Sequence, residues 1–365
     1  MKKSTLISVA FLAVAAATRI SAQTVQKYTA TKSGDYGIPY TLPATAIDVT
    51  IETQTTVKEP GDFYKYARRY FSVDDPIAEP STSVRIKSVV ISTHGEVNPD
   101  GRYVVTFKPG YTPFMMLSPD DIPLAINTED LYEAHAADIP VAQAAKPTPL
   151  ETPAARQAMS EEIMQSQSTA KRAELAAARI FELRQSRNDL ITGQADQMPP
   201  DGKSLELILK TINDQEAALM AMFVGTSKTW TDVKTITLLP GGDDTGKRRV
   251  IARLSDANGL VDPDDLSGTP IYLSFDIIER PAQPLNTKGE PVDIPKDGFV
   301  FCLPGKVAIT VSDLNGTLAA AETQMAQYGV VNGLKPNTFT DKKAPAYAIF
   351  DPATGAIVEL GSAQP

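Results

Sequence analysis

The chain has 365 residues, of which 42% are hydrophobic and 22% charged, with 28 Pro and 22 Gly. These fractions are typical of globular proteins, and the length is that of two or three domains. The formal net charge of −9 argues against nucleic acid as a partner, because phosphate binding needs a basic surface. One cysteine and two histidines exclude a disulfide framework, an iron–sulfur cluster and a cysteine-cluster zinc site, and we expect no cofactor.

Residues 1–22 have the three-part layout of a secretory signal peptide. Met1-Lys2-Lys3 is cationic, Leu6–Ala17 is apolar, and small residues lead to a predicted cut after Ala22. The residue directly after the cut is Gln23 and not a cysteine, so no lipid anchor is expected, and no later apolar run is long enough for a transmembrane helix. The sequence therefore predicts an exported protein that begins at Gln23 and lies in the periplasm or at the periplasmic face of the outer membrane.

Residues 23–138 are predicted to form an N-terminal β-rich domain. Apolar and polar residues alternate in three segments, which are Ile47–Val57, Val84–Thr93 and Arg102–Phe107. The turn signal Asn98–Gly101 separates the second segment from the third. Between the first two segments, Gly61–Phe71 breaks the alternation and spaces its aromatic side chains helically, which predicts a short helix packed on the sheet.

Residues 139–153 contain four prolines among Ala and Thr, which predicts an extended linker. A helical region, 154–225, follows. Thr152 and Pro153 form a helix start, because threonine caps the first turn and proline at the first helical position loses no hydrogen bond. No Gly or Pro interrupts Ala154–Ile191, so we predict one long helix that ends at Gly193.

A second helix is predicted from the cap Asp201 to Gly225, since its apolar residues recur every three or four positions. The short connection between the two helices favours an antiparallel hairpin. The first helix would be about half again as long as the second, which leaves its N-terminal half without a covering helix. We therefore expect Met159 and Ile163, on that overhanging half, to bind a partner protein, although the β domains could equally cover them.

Residues 226–365 are predicted to form a C-terminal β-sandwich-like domain. Turn signals separate its short strands, which are Val233–Leu239, Arg249–Leu254, Ile271–Ile278, Phe299–Leu303, Val307–Val311, Ala346–Phe350 and Ile357–Leu360. The fold class predicted for the whole chain is α+β, in which two mainly antiparallel, sandwich-like β domains flank a long antiparallel helical hairpin.

Two short motifs have the spacing of known catalytic or phosphate-binding motifs. Gly241–Lys247 matches the glycines and lysine of a phosphate-binding loop, but Arg248 stands where Ser or Thr should hold magnesium, and a strand pattern follows. We interpret this motif as a hairpin turn. Ser168 and Lys171 have the Ser-x-x-Lys spacing of penicillin-recognising enzymes, yet the partner motifs are missing, so we place both on a solvated face within the long helix.

Three carboxylates are the candidates for a metal site. Asp262, Asp264 and Asp265 could offer oxygens to calcium, because this ion prefers oxygen ligands at alternate positions of a loop. Their spacing departs from the EF-hand pattern, since Leu266 occupies the fifth position. A polar turn is therefore the default interpretation of this segment.

The histidines and the cysteine are interpreted as structural. His94 and His135 are far apart in the sequence, and neither lies in a recognisable ligand or triad motif. Cys302 lies in an apolar, strand-like run, which predicts a buried small hydrophobe rather than a nucleophile. No residue is therefore assigned a catalytic role from the sequence.

Six segments carry a family resemblance: Tyr40–Pro43, Phe63–Tyr70, Arg184–Arg187, Leu190–Gly193, Met198–Gly202 and Thr354–Val358. As a set they resemble a family of Bacteroidetes envelope proteins known only as a domain of unknown function. The resemblance covers nearly the whole chain after residue 22. It implies an exported protein of that phylum and supplies no catalytic residue.

Two functions of different classes are compatible with these observations. The first, which we favour, is a non-enzymatic binding or scaffold protein whose partners are other envelope proteins, such as an outer-membrane protein complex. The second is a hydrolase of carbohydrate or peptidoglycan that uses a pair of carboxylates brought together by the fold. Two carboxylates about 5–10 Å apart in a cleft would favour the hydrolase.

Overall fold

A computed structural model of the chain describes residues 26–29, 37–106, 113–134, 137–241, 244–292, 294, 298–341 and 344–362. The predicted signal peptide, residues 1–22, lies outside the described residues. Within the described part, strands predominate and all their pairings in sheets are antiparallel, so the protein is α+β, as predicted.

The strands are β1 (Gln26–Thr29), β2 (Gly37–Glu59), β3 (Ser81–Thr106), β4 (Phe114–Leu117), β5 (Pro123–Ile126), β6 (Thr226–Leu238), β7 (Arg249–Ser255), β8 (Gly259–Val261), β9 (Thr269–Glu279), β10 (Phe299–Ser312), β11 (Thr317–Leu334), β12 (Ala346–Phe350) and β13 (Ile357–Ser362). The helices are α1 (Ala67–Phe71), α2 (Pro153–Ala158), α3 (Glu161–Gln165), α4 (Thr169–Thr192) and α5 (Gly202–Val224). Sheet A has the order β3-β2-β6, sheet B the order β11-β10-β9-β7-β8, and sheet C the order β1-β4-β5-β12-β13.

Strands β2 and β3 form a long two-stranded ribbon. β2 alone has 23 residues, about 75 Å at the usual rise per residue. Because side chains alternate between the faces of a strand, Ile47, Val49 and Ile51 all lie on the side of sheet A that packs on sheet B, where they are buried. The predicted turn at Asn98–Gly101 is instead an irregularity within β3, opposite a register shift in β2.

Strands β10 and β11 form a second long hairpin, whose register shifts between Leu303 and Gly305. Glycine is needed on both strands at this point, because the backbones approach too closely for side chains. A Cβ on Gly329 would lie 2.1 Å from the carbonyl oxygen of Leu303, and one on Gly305 would lie 2.5 Å from that of Tyr328. At this irregularity the hairpin passes from one hydrophobic core to the next.

Residues of the N-terminal segment 37–126 and of the C-terminal segment 226–362 pack together in two hydrophobic cores. The sandwich core between sheets A and B includes Ile47, Val49, Ile51, Leu273, Ile309 and Tyr328. The junction core, where β2 and β10 meet sheet C, includes Tyr40, Leu117, Phe299, Phe339 and Phe350. β2 also pairs with β6 over Ile47–Glu59. Strands from the predicted domains 23–138 and 226–365 therefore form joint sheets and joint cores rather than two separate sandwiches.

The predicted long helix is broken into α2, α3 and α4. Ser160 and Ser168 have extended backbones, and their side chains accept N–H hydrogen bonds from the following turn, so each serine starts a new helix. α4 has 24 residues and α5 has 23, so the expected overhang is absent from this helix pair. The predicted start at Thr152-Pro153 and the ends at Gly193 and Gly225 are confirmed.

A third, helical core joins α1 to the other helices. It includes Phe63, Ile163, Ala176, Ile180, Leu219 and Phe223. The ring of Phe71 lies edge-on to that of Phe223, with centroids 4.9 Å apart. The predicted short aromatic helix is therefore present, but it packs on the helices and not on a sheet.

Candidate functional site

The partner-binding candidates lie within the helical core. Ile163 in α3 is fully buried, and Met159, the residue that ends α2, is partly buried and packs against the same core. α2 packs on α5 and α3 packs on α4, and both side chains lie at the core that these helices share. They do not form the exposed surface that the long-helix prediction required.

The calcium candidates lie in a polar turn between β8 and β9. Asp262 forms an ion pair with Lys234, with Oδ1 3.1 Å from Nζ. Asp265 accepts the backbone N–H of Ser267, and its own N–H bonds to the carbonyl of Asp262. Among the described residues, no three His, Cys, Asp or Glu side chains are grouped so that they could hold a metal ion. Asp264 therefore belongs to no such group.

The two short motifs serve structural roles in the described residues. Residues 242 and 243 of the glycine-rich motif lie outside the described residues; β7 begins at Arg249, two residues after Lys247, so no helix follows the motif as a phosphate-binding loop requires. The interpretation as a hairpin turn is wrong, because β6 and β7 belong to different sheets. Ser168 is the N-cap of α4 rather than a mid-helix residue, and Lys171 forms an ion pair with Glu174.

His94 lies on the outer face of sheet A, while His135 lies outside the described residues. His94 Nδ1 is 2.5 Å from Asp48 Oδ2, and the Asp48 carboxylate also accepts a hydrogen bond from Thr237. Burial opposes ionisation of Asp48, but these two hydrogen bonds outweigh it and lower the pKa of its carboxyl group. The arrangement joins the three strands of sheet A through side chains.

Cys302 is a free cysteine buried in β10, as predicted. Burial raises the pKa of its thiol to about 12, with a further contribution from Asp351. A thiol with so high a pKa remains protonated at neutral pH, and the thiolate is the nucleophilic form. Cys302 therefore acts as a small core residue.

The inner face of sheet A changes from apolar to polar along its length. On β2 the buried inward positions pass from Ile51 to Thr53 and Thr55. Directly opposite Thr53 and Thr55, β6 places Asp232 and Trp230. The opposing sheet ends nearby at β8, and a cavity lies between this stretch and the turn that joins β7 to β8.

Two cavities lie along this stretch, and both are lined by Trp230. The first, about 410 Å³, is also lined by Val57, Glu59, Thr148, Glu151 and Lys228. The second, about 330 Å³, is also lined by Thr53, Thr55, Asp232, Lys234 and Asn258. We call the two cavities together the Trp230 groove.

Hydrogen bonds and ion pairs fix the walls of the Trp230 groove. Trp230 Nε1 donates to Asp232 Oδ2 at 2.9 Å, which holds the partly exposed indole in one orientation. Lys228 Nζ lies 3.2 Å from Glu151 Oε2. The bond from Lys228 and the backbone N–H of Thr148 lower the pKa of the Glu151 carboxyl.

The free end of the helix pair α4–α5 is a second exposed feature. We call it the helix-pair end, residues 184–192 and 202–217. None of these residues is buried, whereas α4 is buried between Ala173 and Leu183 and α5 between Ala218 and Phe223. The helix-pair end exposes large apolar side chains, with 66% of Ile191, 66% of Leu207 and 40% of Ile208 accessible to solvent.

Charged side chains hold the helix-pair end together. Glu216, only 12% exposed, accepts hydrogen bonds from Arg184 at 2.6 Å and from Arg187 at 2.5 Å. Asp201 caps α5 by accepting the Ser204 N–H, as predicted from the sequence. None of the helices in the described ranges is long and apolar enough to cross a membrane.

The fold and these sites define an α+β protein with joint β cores, a polar groove around one tryptophan and an exposed pair of helix ends. A family model described as "Domain of unknown function (DUF4831)" matches residues 36–358, so the chain belongs to that family. This confirms the resemblance to a family of unknown function. Neither the curated proteins nor the solved structures include a significant match to the chain.

Proposed function

We propose that the protein is a non-enzymatic binding or scaffold subunit of a cell-envelope assembly. In this proposal the chain is exported by the segment 1–22 and works on the periplasmic side of the outer membrane. The observation that carries the proposal is the helix-pair end, which extends beyond the helical core with Ile191, Leu207 and Ile208 exposed.

The helix-pair end is suited to docking because it is ordered before a partner arrives. The Asp201 cap fixes the start of α5, and the Glu216 ion pairs connect α5 to α4 without burying the apolar side chains. A preorganised surface loses less conformational entropy on binding than a flexible one. Large apolar side chains at the centre of such a surface supply most of the binding free energy.

The occupant that we propose is an apolar face of another envelope protein. Between Arg184 and Glu216 the chain carries six acidic and four basic side chains. Helices that bind membrane surfaces are instead rich in Lys and Arg, since lipid headgroups are often anionic. The segment as a whole is therefore not basic, which favours a protein partner over an anionic lipid surface.

The alternative function, hydrolysis of a glycan, has one observation in its favour, since Glu59 and Glu151 line the same cavity. A glycosidase needs a general acid whose pKa is raised. The pKa of Glu151 is lowered, as are those of the other described carboxyl groups whose pKa values are displaced, which are Asp48, Glu52, Glu174, Asp201, Asp265 and Asp313. These shifts support binding over hydrolysis.

The test is site-specific photo-crosslinking in the native envelope. A photoreactive residue at position 207 should give a defined crosslinked partner, and one at position 264, an exposed aspartate in the turn between β8 and β9, should not. Leu207→Asp with Ile208→Asp should abolish this product without lowering the melting temperature of the purified protein. Crosslinks that are equal at the two positions, or a native protein that retains residues 1–22, would contradict the proposal.

A further inference from the structure

The Trp230 groove has the chemistry of a site for a neutral, hydroxyl-rich ligand. Trp230 is the only tryptophan of the chain, and it stands between two cavities of about 410 and 330 Å³. Both volumes fall within the range of small-ligand pockets, roughly 300–1,000 Å³. The bond from its indole N–H to Asp232 leaves the ring faces for other contacts.

The lining of the groove offers both hydrogen-bond donors and acceptors. Lys228 and Lys234 supply ammonium donors, and Glu151 and Asp232 supply carboxylate acceptors. The two lysines are already paired, Lys228 with Glu151 and Lys234 with Asp262. A charged ligand would have to break these pairs, whereas a hydroxyl group can donate to the carboxylate and accept from the ammonium of the same pair.

We propose that the Trp230 groove binds a glycan, with one sugar ring stacked on the indole and the adjoining sugars in the two cavities. One face of a pyranose ring presents C–H groups, which are attracted to the electron-rich face of an indole. The hydroxyl groups at the edge of the ring then reach the polar side chains on either side. This proposal is independent of the helix-pair end and of any partner protein.

A peptide is the competing occupant, and the lining argues against it. Grooves that bind proline-rich peptides are lined by several aromatic side chains. Among the residues that line the two cavities, Trp230 is the only aromatic one, and the positions around it are mainly Thr, Asn, Lys and carboxylates.

Trp230 itself provides the measurement, because a single tryptophan makes the intrinsic emission report on this groove alone. The purified protein is first applied to a glycan array. The bound glycan is then titrated as a hexasaccharide while the emission is recorded, with a proline-rich decapeptide titrated in parallel. We expect a saturable change in emission with the hexasaccharide and none with the peptide.

Variants then assign the binding to the groove. By calorimetry, Trp230→Ala should weaken the affinity for the hexasaccharide by about tenfold or more. Lys228→Ala, on an exposed ion pair, should weaken it several-fold with the fold intact. Tyr132→Ala, which removes an aromatic side chain that is 39% exposed outside the groove, is the matched control and should leave the affinity unchanged.

Three results would overturn the proposal. One is the absence of binding to any glycan on the array. Another is an emission change with the peptide alone, which would make the groove a peptide site. The third is a glycan affinity that survives in folded Lys228→Ala and Trp230→Ala, which would place the glycan elsewhere on the protein.

Discussion

His94 lies between two carboxylates, so its charge should affect stability. Its Nδ1 contacts Asp48, and its Nε2 lies 3.6 Å from Glu96 Oε1. The hydrogen bond to Asp48 raises the pKa of His94, because it favours the imidazolium. A raised pKa stabilises the folded state below the unfolded value of about 6.5, and this contribution is lost as the pH rises through the folded value.

We therefore predict that His94→Gln lowers the melting temperature most at about pH 5 to 6 and progressively less above that range. At this pH the Asp48 carboxylate also contributes, because its lowered pKa keeps it ionised down to below its unfolded value of about 3.9. Thermal denaturation of both proteins across the pH range measures the difference. Asp48→Asn should remove the same pH dependence, and a His94→Gln effect that is constant with pH would contradict the assignment.

Individual residues could be interpreted from the sequence where their role is local. The helix boundaries at Thr152, Asp201 and Gly193 depend on a few adjacent residues, and all three were predicted, although the Thr152 hydroxyl donates to the Pro149 carbonyl instead of capping α2. The position of Trp230 between two cavities was missed, because it depends on the pairing of β6 with β2. The signal available in the sequence was the change from apolar to polar inward positions after Ile51.

At the scale of elements, the helix-pair end should depend on Glu216. Its carboxylate is nearly buried and binds both Arg184 and Arg187, whereas few apolar contacts hold this part of α4 to α5. We predict that Glu216→Gln lowers the free energy of unfolding by about 1–2 kcal/mol, because the negative charge and one of the two acceptor oxygens are lost.

Hydrogen exchange locates this effect along the chain. Amide exchange should accelerate in residues 184–217 and stay unchanged in sheets A and B, since the helix-pair end can open locally. Asp214→Asn, at an exposed position on the same helix, is the matched control and should exchange like the wild type. Acceleration throughout the molecule in Glu216→Gln would show that the ion pairs stabilise the whole fold instead.

Helices and strands were predicted correctly where amino-acid composition and hydrophobic periodicity agree. They were missed where contacts with residues far away in the sequence determine the secondary structure. The stretch Ala154–Ile191 has the composition of one helix, yet Ser160 and Ser168 interrupt it, and α2 packs on α5 while α3 packs on α4. No strand was predicted for Thr317–Leu334, since its Ala, Glu, Gln and Met residues favour helix. Pairing with β10 along most of its length makes it a strand.

At the scale of the whole molecule, the pairing of β2 with β6 determines the architecture. These strands are separated in sequence by the entire linker and helical region, so no local pattern could predict their register. The sequence identified most of the strands but divided them between two domains. The shared cores show that strands from both segments contribute to the same packing interfaces.

The last prediction is that residues 226–362 do not fold alone. Without β2, the sandwich core loses Ile47, Val49 and Ile51, and sheet B exposes Ile309 to water. The junction core loses Tyr40, whose hydroxyl accepts the Val300 N–H at 2.7 Å and donates to the Val300 carbonyl at 3.1 Å. Losing several large side chains from two cores exceeds the usual margin of stability, about 5–15 kcal/mol.

Circular dichroism and NMR of the isolated segment 226–362 provide the measurement. We expect no cooperative thermal transition and poorly dispersed amide signals from this segment alone. Co-expression with residues 23–225 should restore a folded complex, because that fragment supplies β2 and β3 to sheet A and both cores. A cooperative melt of segment 226–362 by itself would show that the C-terminal strands form an independent sandwich, and that the contribution of β2 to the two cores is dispensable for folding.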